Sequence, residues 1–268
     1  MFAKFKLELT RANRIMLERN FRRNYASCSS RRDEIINNKI FDKIVDKISE
    51  YWLSDGSFDA KAIENDWFPE IDAQVFISHS SHDEKWATFL ATWLSKEYGI
   101  RSFVDSAVWG YANDLLKVID DECCSKQKGV PIYNYEKRNQ STAHIHMILQ
   151  GALATMINKC ECFIFLQTPN SIKTALVGQE DKTASPWIYN ELLMAKLLPR
   201  MKPQRLGMIV ENTKFASSAL FSYPAPLDDL KALTITDIMA AGIRAGKKDV
   251  ELLNQLYKDK GLIGVSNG

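Results

Sequence analysis

Residues 74–84 read QVFISHSSHDE. The apolar run over 74–77 has the length of a buried strand, the small polar groups Ser78, His79, Ser80 and Ser81 follow it, and Asp83 opens an amphipathic stretch that runs to Gly99. Strand, short polar loop and helix in that order make the first half of a β-α unit. Outward from this stretch the texture repeats. Further strands are expected over 101–104, 160–167, 206–210 and 232–235, and helices over 83–98, 111–121, 141–158, 186–198 and 249–258. Residues 123–140 hold no apolar period and read as a long insertion.

Five parallel strands with helices between them define an α/β class. The expected architecture is a flavodoxin-like sheet of order 2-1-3-4-5, counted from the strand over 74–77. In such sheets a ligand sits beyond the carboxyl ends of the strands where the winding reverses, here between the first and third. Ser78 to Asp83 and Gln167 to Asn170 occupy those two ends. Neither carries a G-x-G-x-x-G or Walker lysine pattern, so a phosphate cradle of the usual kinds is not expected there. Before residue 70 the pattern differs. Ile36, Ile40, Ile44, Ile48 and Trp52, widened by Phe41 and Val45, form an amphipathic stripe, and the arginine-rich segment over 4–32 reads as another helix with a mostly solvated cationic face. Residues 1–70 are therefore expected as a helical extension and 71–268 as the sheet domain, closed by a carboxyl-terminal helix.

The 268 residues are 46% apolar and 25% charged, a balance able to bury a core and unlike a disordered or collagen-like chain. Lys and Arg number 35 against 33 acidic residues, so a net charge of +2 gives no reason to expect a nucleic-acid partner. The longest apolar run, Cys162 to Leu166, is far short of the ~20 residues of a membrane span. Lys4, Lys6 and Glu8 stand where a signal peptide needs its apolar stretch, so a cytoplasmic protein is expected. Five cysteines without C-x-x-C spacing fit reduced thiols.

Residues 184–198, ASPWIYNELLMAKLL, hold the most informative chemistry. Ser185 can cap a helix, Pro186 suits its first turn and Pro199 ends it. Trp187 and Glu191, four apart, share one face, so an aromatic plate stands beside one carboxylate. From spacing alone a core tryptophan next to a surface glutamate is the commoner arrangement. His144 and His146 lie two apart on an expected helix and diverge by about 200°, so they cannot converge on one ion, and no metal site is expected. No G-x-S-x-G elbow is present, and the cysteines have no activating base in view. A glycosidase of ordinary sugars needs two carboxylates, whereas a substrate whose leaving group is already good needs one. Nicotinamide adenine dinucleotide (NAD+) is such a substrate. Its cationic nicotinamide departs without a proton, and only the oxocarbenium charge left on the ribose requires stabilisation.

On QVFISHSSHDE, GIRSFVDSAVWG (99–110), CFIFLQTPNS (162–171) and SPWIYNEL (185–192) with its W-x-x-x-E spacing, the chain resembles the Toll/interleukin-1 receptor (TIR) domain family, particularly its bacterial members. The likeness extends over about residues 72–240. It implies an enzyme, an NAD+ glycohydrolase or ADP-ribosyl cyclase, releasing ADP-ribose or a cyclised isomer, with NAD+ as substrate and no further cofactor. It implies Glu191 as the catalytic residue, Trp187 as its pocket neighbour, and Ser78, His79, Ser80 and Ser81 lining the substrate site. The segment over 105–111 corresponds to the family's assembly loop, which packs against a neighbouring subunit and helps close the pocket, with Trp109 and Tyr111 as its aromatic candidates for the substrate site. By the same likeness the chain resembles Thoeris-type antiphage proteins, which implies self-assembly, a phage-derived trigger and a downstream effector that senses the product. A non-enzymatic TIR scaffold is the competing reading, and a nucleoside deoxyribosyltransferase a third.

Overall fold

Ala3, Phe5 and Leu7 alternate with Lys4, Lys6 and Glu8, the period-two pattern of a strand, and in the computed structural model Ala3–Glu8 forms strand β1. The structure describes residues 1–25, 48–104, 106–127, 130–173, 181–206, 223–246 and 249–263. β1 pairs in parallel on one side with β6 (Cys162–Gln167), in register from Ala3↔Cys162 to Glu8↔Gln167, and on the other with β9 (Lys231–Leu233). Beyond β6 lie β2 (Val75–Ser78) and then β3 (Ser102–Val104), so the five-stranded parallel sheet has the order β3-β2-β6-β1-β9.

This order corrects the expected 2-1-3-4-5. β3, β2 and β6 take the anticipated neighbours, but the fourth place belongs to β1, from the amino-terminal segment, because its apolar residues complete one sheet face. Leu206 ends a 3-10 turn, Gln204–Leu206, and residues 207–210 of the expected fourth strand lie outside the described residues. The described residues 1–25 are accordingly part of the sheet's own unit, not of a helical extension set apart from it. By its contacts the chain divides into two units, one of residues 1–26, 72–105 and 156–268, the other of 27–71 and 106–155, in place of the expected boundary near residue 70.

In the first unit, Phe5, Leu7, Val75, Ile77, Cys162, Ile164 and Leu166 share one sheet face. They pack against helices α1 (Arg11–Tyr25) and α3 (Glu84–Tyr98), and against α7 (Ile235–Arg244) and α8 (Asp249–Asp259). α3 turns Ala87, Leu90, Ala91, Trp93, Leu94 and Tyr98 inward and ends on Gly99, whose φ of 71° is the left-handed cap that glycine adopts without strain. α7, absent from the expected elements, starts at a capping box in which Thr234 and Asp237 satisfy each other's backbone N–H. The opposite sheet face carries an aromatic ladder, Phe76 lying 5.2 Å from Phe103 and 5.6 Å from Phe163. Lys4 is buried on that face, and desolvation, aided by the like charge of Arg200, lowers its pKa to about 8 despite Asp229 at 4.0 Å.

In the second unit, α2 (Ala60–Trp67) is capped by Asp59, which accepts from the backbone N–H of Lys61 and Ala62, and it buries Ile63 and Trp67. The expected helix over 36–52 lies largely outside the described residues, and its end, Ile48–Tyr51, is a 3-10 turn. α4 (Ser106–Ile119) passes through a π-helical turn, Asp120–Cys124, into an antiparallel hairpin of β4 (Ser125–Gln127) and β5 (Val130–Tyr133), then into α5 (Tyr135–Lys159). Two expectations are thus corrected. Within the expected insertion over 123–140, the described residues form the end of the π-helical turn, the two hairpin strands and the opening turns of a long helix. Residues 106–111, expected as a loop, are helical. Buried Asp120 holds this region together by accepting from the Ser141 hydroxyl at 2.6 Å and Arg138 Nε at 2.9 Å. No helix among the described residues is long and apolar enough to cross a membrane.

Candidate active site

The chain leaves β2 toward β3 and leaves β6 toward β9, on opposite sides, so the winding reverses at the carboxyl ends of β2 and β6. Ser78 is the last residue of β2. Alternation from Val75 and Ile77 turns its side chain to the face of the aromatic ladder, and there its hydroxyl donates to Glu191 Oε2 at 2.6 Å. Glu191 has no exposed surface. It is held there by α6 (Pro186–Leu197), whose first turn is capped by Ser185 accepting from the Ile188 N–H and begins with Pro186. Ile188, Leu192 and Ala195 are buried along α6, and Trp187, half-buried, stands one turn before Glu191 on the same face. A two-stranded ribbon of β7 (Lys182–Thr183) and β8 (Tyr223–Pro224) leads into this helix.

The loop after β2 is equally ordered. His79 and Ser80 are buried, and Ser81, exposed, opens the 3-10 turn Ser81–Asp83. Asp83 is buried and accepts from Thr168 Oγ1 at 2.5 Å and from Asn170 Nδ2 at 3.0 Å. Ser171 in turn accepts from the Thr168 N–H and donates to the Leu166 carbonyl. The two segments that the reversal rule singles out are therefore tied to each other by one carboxylate. Asp83, Thr168 and Asn170 lie in the two segments singled out from the sequence but were not named individually as site residues, and Ser171 lies just beyond them. Their signal was present in the small polar runs at the ends of neighbouring strands, but which acid meets which hydroxyl depends on the sheet.

The structure brings together Ser78 and Glu191, with Trp187 one turn before Glu191 on the same helix and His79, Ser80 and Ser81 following Ser78 in the loop. Trp109 and Tyr111 fall on α4, in the other unit, and their side chains lie outside the described residues. Cysteine nucleophiles find no support in the sheet. Burial pushes the Cys160 thiol up to about 12 and the Cys162 thiol well above its ordinary value. His144 is exposed and His146 half-buried on α5. Among the described residues no group of three or more His, Cys, Asp and Glu side chains could hold a metal ion.

What the arrangement offers is one carboxylate, shielded from water and oriented by a hydroxyl donor, one helical turn after a tryptophan, at the reversal point of a parallel sheet. A carboxylate in such surroundings interacts with a nearby positive charge far more strongly than it would in water. Comparison of the chain with protein-family models, with curated proteins and with solved structures finds no match.

Proposed function

We propose that the protein is a TIR-like enzyme that cleaves the nicotinamide–ribose bond of NAD+. The observation that carries this reading is the buried Glu191 carboxylate, held by Ser78 at the carboxyl end of β2. In the proposed reaction the C–N bond to the pyridinium breaks, its electron pair leaves with neutral nicotinamide, and the ribose carbon becomes an oxocarbenium centre. Glu191 stabilises that charge, and water or the adenine end of the same molecule adds to the carbon. The hydrolytic route gives ADP-ribose, with one proton released from the water, and the internal route gives a cyclic isomer. Trp187 supplies an aromatic wall, and Ser78 keeps the carboxylate turned toward the crevice. Because Glu191 has no exposed surface, turnover requires the loop around Ser78 and His79 to part and admit the ribose. A cytoplasmic setting, self-assembly, a phage-derived trigger and an effector that reads the product belong to the same proposal and rest on the TIR resemblance alone.

The complete burial of Glu191 is also what favours a second reading, in which the Ser78–Glu191 contact is a structural tie in a non-enzymatic scaffold. One measurement separates the two. Mass spectrometry of the products formed from NAD+ should show nicotinamide release by the native protein, and Glu191→Gln should reduce it by roughly 100-fold or more, the usual cost of losing one preorganised electrostatic group. Release by Glu191→Gln within a few-fold of native would refute the catalytic assignment. Absence of release from the native protein in every assembly state would leave the scaffold.

A further inference from the structure

A cavity of about 540 Å³ opens over the carboxyl ends of β1 and β6, bordered by Glu8, Arg11, Arg14, Trp86, Gln167 and Thr168. Its size is that of a small-metabolite pocket. Arg14 lies with its guanidinium carbon 5.8 Å from the centre of the Trp86 ring, which anchors it by a cation–π contact. Its Nε is shielded from solvent and has no hydrogen-bond partner among the described residues. Neither Arg11 nor Arg14 forms an ion pair among the described residues, whereas Glu18, on the same wall, is already engaged by Arg22 at 2.7 Å. Glu8 is the one lining carboxylate with no ion pair among the described residues. Two guanidinium groups beside a carboxylate, all three without an ion pair among the described residues, complement an anion carried on a hydroxyl-bearing body. Arg forks match phosphate oxygens in pairs, and a carboxylate accepts from vicinal hydroxyls.

We infer that this cavity binds a ribose phosphate, free or as part of a nucleotide, with the phosphate on Arg11 and Arg14 and the sugar hydroxyls on Glu8. The site does not depend on the NAD+ reading. Its helices, α1 and α3, pack on the sheet face away from Ser78 and the aromatic ladder. It adjoins the crevice through Thr168, whose hydroxyl is the one bound to Asp83, so a ligand here presses on the segment that is tied to the Ser78–Asp83 loop.

Calorimetric titration of the full chain tests this with four probes: AMP, ribose 5-phosphate, adenosine and inorganic phosphate. AMP and ribose 5-phosphate should bind, adenosine should not, and inorganic phosphate should bind more weakly than either sugar phosphate. Arg14→Gln should weaken AMP about tenfold or more, and the exposed Arg11→Gln, which leaves the fold undisturbed, should do the same. Glu8→Gln should weaken ribose 5-phosphate while leaving inorganic phosphate unaffected. The titration reads binding alone and does not depend on whether NAD+ is cleaved, and loss of AMP binding in both arginine variants places the ligand in this pocket. Binding of AMP that both arginine variants retain, adenosine binding as tightly as AMP, or no binding of either sugar phosphate at millimolar concentration would overturn the proposal. Preference for ribose 5-phosphate over AMP would identify a free sugar phosphate as the source, and the reverse a nucleotide.

Discussion

Replacing Ser78 by alanine removes the hydroxyl that donates to Glu191 at 2.6 Å and leaves the fully buried carboxylate short of one donor. A hydrogen bond to a charged group contributes about 1.5–3 kcal/mol, and a buried acceptor has no water to replace it. The oxygen lost is small, so any cavity term is minor, and Ser78→Ala should destabilise the protein by about 2 kcal/mol. With a urea slope of about 1–3 kcal/mol/M, the midpoint should fall by roughly 1 M. Glu191→Gln weakens the same contact from the other side by making it neutral. The double variant should therefore cost less than the sum of the single ones, by about 1 kcal/mol. The assay is urea unfolding of the four proteins followed by circular dichroism, with nicotinamide release measured on the native and Ser78→Ala forms. Ser78→Ala should also lower turnover, because the carboxylate is no longer held toward the crevice. A stability loss under about 0.3 kcal/mol, or strictly additive effects, would refute the reasoning that this contact is a charge-assisted bond shielded from water.

Other consequences can be checked on the same footing. Phe5 has no exposed surface and sits in register between Ile164 and Lys231, so Phe5→Ala should cost about 3–5 kcal/mol in chemical denaturation, and a loss below 1 kcal/mol would contradict an interior β1. Lys4 is held down to about 8, so its charged form is disfavoured by folding: below pH 8 both states are protonated and the folded one bears the desolvation cost, which fades as pH rises toward the unfolded value. Lys4→Met should accordingly be more stable than the native protein at pH 7, and its advantage should shrink between pH 8 and about 10.5; an advantage constant with pH would contradict this. A Cβ on Gly242 would lie 2.2 Å from Tyr98 Cε1, inside a ring packed edge-on to Trp93, so Gly242→Ala should lower the melting temperature by several degrees, about 1–3 kcal/mol of overpacking, and an unchanged melting temperature would refute the contact.

The strands β2, β3 and β6 were legible because each is a short apolar run bounded by turn residues, and their neighbour order followed from the α/β rule. β1 was not, although Ala3, Phe5 and Leu7 alternate plainly. Its intervening Lys4, Lys6 and Glu8 suggest an exposed segment, and only the sheet shows that Lys4 is carried under cover. A strand order that takes its fourth member from the start of the chain cannot be inferred from local pattern, since nothing in β1 records which edge it will fill. α7 was hidden by its brevity, yet the T-x-x-D of its capping box was visible at Thr234 and Asp237. At the site, the W-x-x-x-E spacing placed Trp187 and Glu191 on one face correctly. By itself that spacing favoured a surface Glu191 beside a core Trp187, and the structure reverses this, because burial of a carboxylate depends on a donor 113 residues away in the chain. The Asp83 tie to Thr168 and Asn170 is of the same kind.

The place of β1 in the sheet also sets an order of events during synthesis. β1 emerges from the ribosome long before Cys162, its first register partner, and longer still before Lys231 on its other edge. At translation rates of about 5–20 residues per second, it waits on the order of ten seconds or more with both edges unpaired. For that time its backbone N–H and C=O groups and the apolar face of Phe5 and Leu7 are available to chaperones or to another nascent chain. Lys4 and Lys6 stand on alternate positions of this strand, and charges along an unpaired strand discourage edge-to-edge association. The lysine that costs stability once the sheet has closed is thus a charge on the strand while its partners do not yet exist.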